Sequence, residues 1–157
     1  MNTSEFSDLP DDDEPLTVRS LRFGRARILV VDDDPEMREA VAEALHADGY
    51  QVRVASSGRA FLTAIASVEA GHHELDGVDL VVVDNRMPGM TGLDALRALR
   101  GAERTMPAIL MTAYPAAHIE EEAMGLDATV LSKPFARSEL TRTVLAKLLG
   151  RAPIRET

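Results

Sequence analysis

The chain has 157 residues, a length that suits one domain, and 45% of them are apolar, which is enough for a hydrophobic core. It contains no cysteine, which excludes disulfides, thiolate metal sites and cysteine nucleophiles. The formal net charge is −9, but six acids and no base fall within residues 1–15, and the remainder is nearly balanced. That balance argues against a general nucleic-acid-binding protein. No apolar run approaches the ~20 residues of a membrane span, so we expect a cytoplasmic protein with no membrane contact.

The distribution of charge and apolar residues divides the chain into three parts. Residues 1–24 are predicted to form an acidic, disordered tail, because the acidic, proline-containing stretch that opens them shows no hydrophobic period. Residues 25–149 should form the folded domain, and residues 150–157 a short C-terminal tail.

Five short runs of mostly apolar residues predict five strands. The second run alternates apolar and polar residues, which favours an edge strand, whereas the third is apolar throughout and reads as buried on both faces. The predicted strands are residues 28–31, 51–55, 80–83, 108–111 and 128–131.

Helix signals separate these strands. Asp34 before Pro35 predicts an N-cap followed by proline at the first helical position, and Gly49 should end that helix as a left-handed cap. Thr91 with Asp94 forms the pattern of a capping box.

The other three helices have weaker signals. Ser57 and Gly58 should open the second, with its inner side formed by Phe61, Leu62, Ile65 and Val68. A polar spacer is expected over residues 69–78. The fourth helix is predicted to begin at Pro115 and to end with Gly125 as its cap, and the last to stop near Gly150.

Five alternating strand–helix units predict an α/β fold, a doubly wound parallel sheet with helices on both faces. The common strand order for such a domain is 2-1-3-4-5, which makes the first and third strands neighbours.

Polar residues follow four of the five strands. Asp32 and Asp33 follow the first strand, and Asp84 the third, where Pro88-Gly89 forces a turn and should leave Asp84 in a loop. Thr112 follows the fourth strand and Lys133 the fifth. Because the carboxyl ends of parallel strands share one edge, we expect these side chains to meet there.

Such an arrangement has chemical consequences. Two carboxylates ~4 Å apart repel by about 4 kcal/mol at an effective dielectric constant of 20, so gathered acids need a cation or protons. Carboxylate oxygens with room for water suit Mg²⁺, and the lysine and threonine would donate to phosphoryl oxygens. The pattern favours phosphoryl transfer to or from Asp84. Considered one at a time, these residues have simpler interpretations. Asp32 and Asp33 could form a solvated turn, and Lys133 could be an ordinary surface lysine.

Four motifs resemble the receiver domain of two-component response regulators, a flavodoxin-like family that includes the chemotaxis regulator. They lie at residues 30–34, 84–92, 111–113 and 132–135, and the resemblance covers about residues 25–149. It implies that Asp84 accepts a phosphoryl group from a phosphohistidine of a sensor kinase or phosphotransfer protein.

The resemblance also implies the roles of the neighbouring residues. Mg²⁺ (or Mn²⁺) would be bound by Asp33, Asp84 and the backbone carbonyl of Arg86, with Asp32 helping through water. Thr112 and Lys133 would hold the phosphate, and the Lys133–Pro134 bond is a candidate for cis.

Four positions depart from the family pattern. Val130 stands where a switch aromatic is common, and Ala136 gives the last helix no capping side chain. Arg86 and Tyr114 are unusual neighbours of Asp84 and Thr112, and we predict that they tune the lifetime of the phosphorylated state.

We expect a stand-alone receiver, since residues 151–157 are too few for a DNA-binding module. Such a switch is not an enzyme in the ordinary sense, because it catalyses only its own phosphorylation and dephosphorylation. Its output would be binding of a partner protein through the last two helices and the last strand, without direct nucleic-acid contact.

Three alternatives stay open at this point. The chain could be a phosphorelay intermediate or phosphate sink, or a receiver cut from a longer protein. A magnesium-dependent phosphatase of the haloacid-dehalogenase type places its nucleophile after the first strand, where residues 32–36 fit its motif poorly. A dinucleotide-binding domain is excluded, because no glycine-rich turn follows the first strand.

Overall fold

The computed structural model describes residues 26–69, 72–73, 75 and 77–150. The predicted N-terminal tail and residues 151–157 lie outside this range. Within the described residues, no helix combines the length and the apolar character needed to cross a bilayer.

A five-stranded parallel sheet forms the centre of the domain. Its strands run in the order β2-β1-β3-β4-β5, so the predicted order is confirmed and β2 is an edge strand, as expected. The strands are β1 (Arg27–Val31), β2 (Gln51–Ala55), β3 (Leu80–Asp84), β4 (Ala108–Thr112) and β5 (Ala128–Ser132). Register places Val31 beside Val83, and Asp84 beside Met111, which aligns the carboxyl ends of the three central strands.

Five helices cover the sheet on both faces: α1 (Pro35–Ala47), α2 (Gly58–Ala66), α3 (Gly92–Gly101), α4 (Ala117–Gly125) and α5 (Arg137–Gly150). One apolar core lies beneath α1 and α5, and a second lies beneath α2, α3 and α4. Because successive strand residues point to opposite faces, β1, β3 and β4 contribute to both cores in alternation.

The predicted helix ends around the site are confirmed. Asp34 caps α1 by accepting a hydrogen bond from the Glu36 backbone N–H, and Gly49 follows that helix with φ +97°. Thr91 and Asp94 form the capping box at the start of α3. These caps fix where the chain leaves the β1 and β3 ends of the sheet.

The second helix differs from its prediction at two residues. Leu62 is 38% exposed and does not belong to the inner face, and α2 ends at Ala66, before Val68. In the segment that follows, two-residue strands pair as an antiparallel ribbon, Val68–Glu69 with His72–His73, where a polar spacer was predicted. Leu75 and Val78 beyond it are buried, so this segment also covers the core.

The fourth helix begins later than predicted and ends differently. It starts at Ala117, because Ala116 is extended and its methyl side chain provides no cap. Gly125 is the last helical residue, and the left-handed residue is Asp127, with φ 56°. Aspartate adopts this conformation more readily than most residues, so the turn does not need glycine.

Candidate functional site

The carboxyl edge of the sheet brings three aspartates together. Asp32, Asp33 and Asp84 each offer a carboxylate oxygen, and these oxygens lie within 4.8 Å of one another. Asp84 is the last residue of β3 and is 5% exposed, so the expectation that it stands in a loop is wrong. The reason is that strand pairing continues past it, since the Asn85 N–H donates to the Met111 carbonyl.

Both oxygens of Asp84 have partners. The Lys133 ammonium lies 2.5 Å from Oδ1, and the Arg86 backbone N–H donates to Oδ2 at 3.1 Å. Lys133 follows β5, and its own backbone N–H donates to the Thr112 carbonyl at 2.8 Å. The ends of β3, β4 and β5 are therefore linked around one carboxylate.

Asp32 is the most deeply buried of the three acids, at 1% exposure. Its Oδ1 accepts a hydrogen bond from the Asp34 backbone N–H, but its Oδ2 has no hydrogen-bond partner among the described residues. Burial raises the pKa of Asp32 to about 6, and the nearby Asp84 carboxylate adds to this, while the Asp34 hydrogen bond acts in the opposite direction. A buried carboxylate oxygen without a hydrogen-bond partner is a suitable ligand for a cation.

The three carboxylates at this edge are only partly compensated by nearby cations. The Lys133 ammonium lies 4.0 Å from Oδ2 of Asp32, and the Arg38 guanidinium donates to the Asp32 backbone carbonyl. Clustered hard oxygens are the ligands that Mg²⁺ prefers. The donor set therefore fits a small divalent cation, although the contribution of the Arg86 carbonyl stays a prediction.

Thr112 and Tyr114 form the β4 side of the site. The buried Thr112 hydroxyl accepts a hydrogen bond from the Tyr114 backbone N–H at 3.0 Å. The Arg86 guanidinium carbon lies 4.7 Å from the centre of the Tyr114 ring, which is cation–π distance. These residues line one side of a cavity of about 830 Å³ that extends toward His118.

Sequence reasoning missed Asn85, which is 8% exposed and directly follows Asp84. Its side-chain oxygen accepts a hydrogen bond from the Leu93 backbone N–H at 3.2 Å. A polar residue between a buried strand and a Pro-Gly turn was the available signal, but the adjacent charged residue dominated the interpretation of that stretch.

The remaining sequence-predicted features lie beside the site. The Lys133–Pro134 bond is cis, as predicted. Val130 is partly buried against the core beneath α2, α3 and α4. Ala136 donates its N–H to the Glu139 side chain at 2.9 Å, so only half of a capping box is formed at the start of α5.

Known proteins resemble this chain in sequence and architecture. The family model of the response regulator receiver domain matches residues 28–145. The response regulator MprA of Mycolicibacterium vanbaalenii is 39% identical over 130 residues, and MprA of Mycobacterium tuberculosis is 38% identical. These matches cover 81% of this chain but 52% of each relative, so the chain spans about half the length of the curated relatives it matches.

Solved structures agree with the sequence match. The chemotaxis protein CheY4 of Vibrio cholerae superposes with a TM-score of 0.64 at 29% identity, covering 77% of this chain and 97% of that one. The signal receiver domain of the putative response regulator NarL from Mycobacterium tuberculosis superposes with a TM-score of 0.68 at 31% identity. The match covers 81% of this chain and 98% of that one. With an acidic edge and a lysine at the carboxyl ends of a 2-1-3-4-5 sheet, the chain belongs to the response regulator receiver domain family.

Proposed function

We propose that residues 25–149 form a receiver unit that works as a phosphorylation-dependent switch, with Asp84 as the phosphoacceptor. Receiver domains of response regulators are generally signalling switches that interact with histidine kinases and output domains. The observation that carries the assignment to Asp84 is its position: among the described residues, its carboxylate is the one that lies 2.5 Å from the Lys133 ammonium and also near two further carboxylates.

The metal in this proposal is Mg²⁺ or Mn²⁺, held by Asp33, Asp84 and the Arg86 carbonyl, with Asp32 acting through water. Receiver domains generally bind Mg²⁺ through an acidic pocket, and the three aspartates here form such a cluster. The unpartnered Oδ2 of Asp32 supports a cation at this edge. When bound, the metal would offset negative charge on the phosphoryl oxygens.

In the proposed reaction, an oxygen of the Asp84 carboxylate attacks the phosphorus of a phosphohistidine. An O–P bond forms and the N–P bond breaks, and the imidazole nitrogen keeps the electron pair, which leaves an acyl phosphate on Asp84. Lys133 has three N–H donors and Thr112 one O–H, so both can donate to phosphoryl oxygens. Hydrolysis by water releases inorganic phosphate and restores the carboxylate.

Two contacts support this role for the donors. Thr112 uses its oxygen as an acceptor from the Tyr114 N–H, which leaves its hydroxyl hydrogen to be donated. The Lys133 ammonium already lies against the acceptor carboxylate. The Lys133 ammonium would therefore need little rearrangement before transfer, which lowers the barrier through preorganisation.

For the output, we propose binding of a partner protein on the face formed by α4, β5 and α5. On this face α4 has a weak anchor: Ala123 is its buried residue, its first turn lacks a side-chain cap, and Met124 is 77% exposed. Charge added at the sheet edge would bias two packings of such a face. Because the relatives are about twice as long, the proposal concerns the receiver unit and not the activity of those longer proteins.

The decisive experiment is incubation with acetyl phosphate and Mg²⁺, followed by intact-mass spectrometry. We expect the mass of one added phosphoryl group, absent from Asp84→Asn and absent without divalent metal. Asp127→Asn is the matched control, since it removes an exposed carboxylate in a conformation that asparagine tolerates. Phosphorylation that persists in Asp84→Asn would contradict the assignment.

A further inference from the structure

We infer that Asn85 is a positioning residue for phosphorylation. It fixes the segment after β3 in which the backbone of Arg86 contacts the Asp84 carboxylate. The inference rests on the proposed function and goes beyond it, because it assigns a role to an uncharged residue that takes no part in the transfer itself.

Asn85 is held by three hydrogen bonds to two different elements. Its backbone N–H donates to the Met111 carbonyl at 2.9 Å, and its backbone carbonyl accepts from the Gly92 N–H at 2.9 Å. Its side-chain oxygen accepts from the Leu93 N–H at 3.2 Å. Asn85 therefore joins the end of β4 to the first turn of α3, and its side chain satisfies one of the N–H groups that a helix start leaves unpaired.

The start of α3 lies directly against the Asp84–Asn85 peptide. A Cβ added at Gly92 would lie 2.6 Å from the Asp84 carbonyl oxygen and 3.0 Å from the Asn85 Cα. Between these contacts, the chain folds back as a short antiparallel ribbon, Arg86–Met87 paired with Met90–Thr91. Both ends of the loop therefore meet at Asn85.

This closure acts on the groups nearest to the phosphoacceptor. The Arg86 N–H, one residue beyond Asn85, donates to Oδ2 of Asp84 at 3.1 Å. The Arg86 carbonyl, which we propose as a metal ligand, belongs to the same residue. On the other side, Met111 directly precedes Thr112, so the Asn85 N–H also fixes the strand end that carries the threonine.

If Asn85 acted only as a cap of α3, its role would be purely structural. A second residue that caps the same helix start provides a matched control for this possibility. Thr91 also caps α3, since its side chain accepts from the Asp94 N–H at 3.0 Å. That hydrogen bond is exposed, whereas the bond to Asn85 is buried, and Thr91 makes no contact with the Asp84–Asn85 peptide among those described. Thr91→Ala should therefore weaken the same helix start without releasing the loop at Asn85.

The test compares Asn85→Ala, Asn85→Asp and Thr91→Ala by three measurements: the Kd for Mg²⁺ from calorimetry, the rate of phosphorylation by acetyl phosphate, and amide hydrogen exchange at Leu93. For Asn85→Ala we expect the Kd to rise and the rate to fall by about tenfold each, the equivalent of about 1.4 kcal/mol. Thr91→Ala should stay within about twofold of the wild type for both, after a comparable loss of helix capping.

Asn85→Asp keeps an acceptor oxygen at the same reach. We expect it to preserve the protection of the Leu93 amide, which Asn85→Ala loses, and to bind Mg²⁺ at least as tightly as the wild type. If Asn85→Ala does not fold, Asn85→Ser replaces it, because its hydroxyl is one bond shorter and should give the same direction of change.

Equal effects of Asn85→Ala and Thr91→Ala, or wild-type Mg²⁺ binding in Asn85→Ala, would overturn the inference. Failure of the proposed function gives a different result, since the wild type itself would then gain no phosphoryl group on Asp84.

Discussion

The Lys133 ammonium lies 2.5 Å from Oδ1 of Asp84, although 49 positions separate the two residues in the sequence. The side chain of Asp84 is 7% exposed and that of Lys133 20%, so water screens their attraction only partly. Asp32 lies at the margin of the same pair, with its Oδ2 4.0 Å from the ammonium. The Lys133 ammonium therefore offsets part of the repulsion among the carboxylates at this edge of the sheet.

Removing this cation should destabilise the domain at neutral pH. For Lys133→Met we expect the free energy of unfolding in urea to fall by about 3 kcal/mol without metal, because a buried carboxylate loses its partner. Lys147→Met is the matched control, since Lys147 lies 3.9 Å from Asp127, whose side chain is 76% exposed. That change should cost less than about 0.5 kcal/mol, and equal losses in both variants would contradict the prediction.

Asp32 should make the metal-free domain less stable as the pH rises. Its pKa is about 6 in the folded domain, against 3.8 for an ordinary aspartate such as one in the unfolded chain. Between pH 3.8 and about pH 6, the folded state therefore holds a proton that the unfolded chain has released. Stability should therefore fall from about pH 4 to about pH 6 and stay lower above, by up to about 3 kcal/mol.

Asp32→Asn isolates this effect. The variant should be more stable than the wild type at pH 7 in a chelating buffer, and the difference should vanish near pH 4, as measured by urea unfolding across the pH range. Mg²⁺ should reduce the difference at pH 7, because the cation replaces the proton as the compensating charge. A difference that is constant between pH 4 and pH 7 would count against the assigned cause.

Arg86 and Tyr114 should act together on the lifetime of the phosphorylated state. Their stacking at 4.7 Å covers the β4 side of the site, and a cation–π contact at an exposed position contributes about 0.5–1 kcal/mol. We expect Arg86→Ala and Tyr114→Ala each to shorten the half-life about two- to fivefold by admitting water. The double variant should lose no more than either single variant.

Tyr114→Phe is the control for that pair, because it keeps the ring and removes only the hydroxyl. Its half-life should match the wild type when dephosphorylation is followed by intact mass after removal of the phosphodonor. Unchanged half-lives in both alanine variants would end the idea that these residues control the lifetime.

Gly92 should tolerate no larger residue. A Cβ there would lie 2.6 Å from the Asp84 carbonyl oxygen and 2.7 Å from Leu110 Cδ1, and the backbone atom cannot rotate away. Gly92→Ala should lower the free energy of unfolding by about 1–3 kcal/mol. Gly101→Ala, at the other end of α3 with no atom within 4 Å, should instead stabilise by about 0.5 kcal/mol, and urea unfolding of the two variants tests the contrast.

The strands could be predicted because each short run of mostly apolar residues is bounded by turn residues, whereas their order was taken from the arrangement common to such domains. The meeting of Asp32, Asp84 and Lys133 followed from the same pattern, since the carboxyl ends of parallel strands share an edge. The hydrophobic periodicity of a sequence does not give the distances between those side chains. The unpartnered Oδ2 of Asp32 is therefore visible only in the structure.

Other features depend on contacts that are distant in the sequence. The start of α4 shifted because Ala116 is extended, and Asp127 took the left-handed position expected of Gly125. The stacking of Arg86 on Tyr114 joins two loops that follow different strands, and nothing local to either loop indicates it. The polar character of Asn85 was visible in the sequence, but its partner, the Leu93 N–H, lies eight residues further along the chain and could not be inferred locally.

Neighbouring residues of β3 serve different helices. Leu80 and Val82 pack beneath α1 and α5, whereas Val81 and Val83 pack beneath α2, α3 and α4. Exchanging Leu80 with Val81 would leave the composition and hydropathy of the strand untouched, yet it would overfill one layer of the domain and hollow the other. For this strand, the order of similarly apolar residues carries structural information that the mean hydropathy of the strand does not contain.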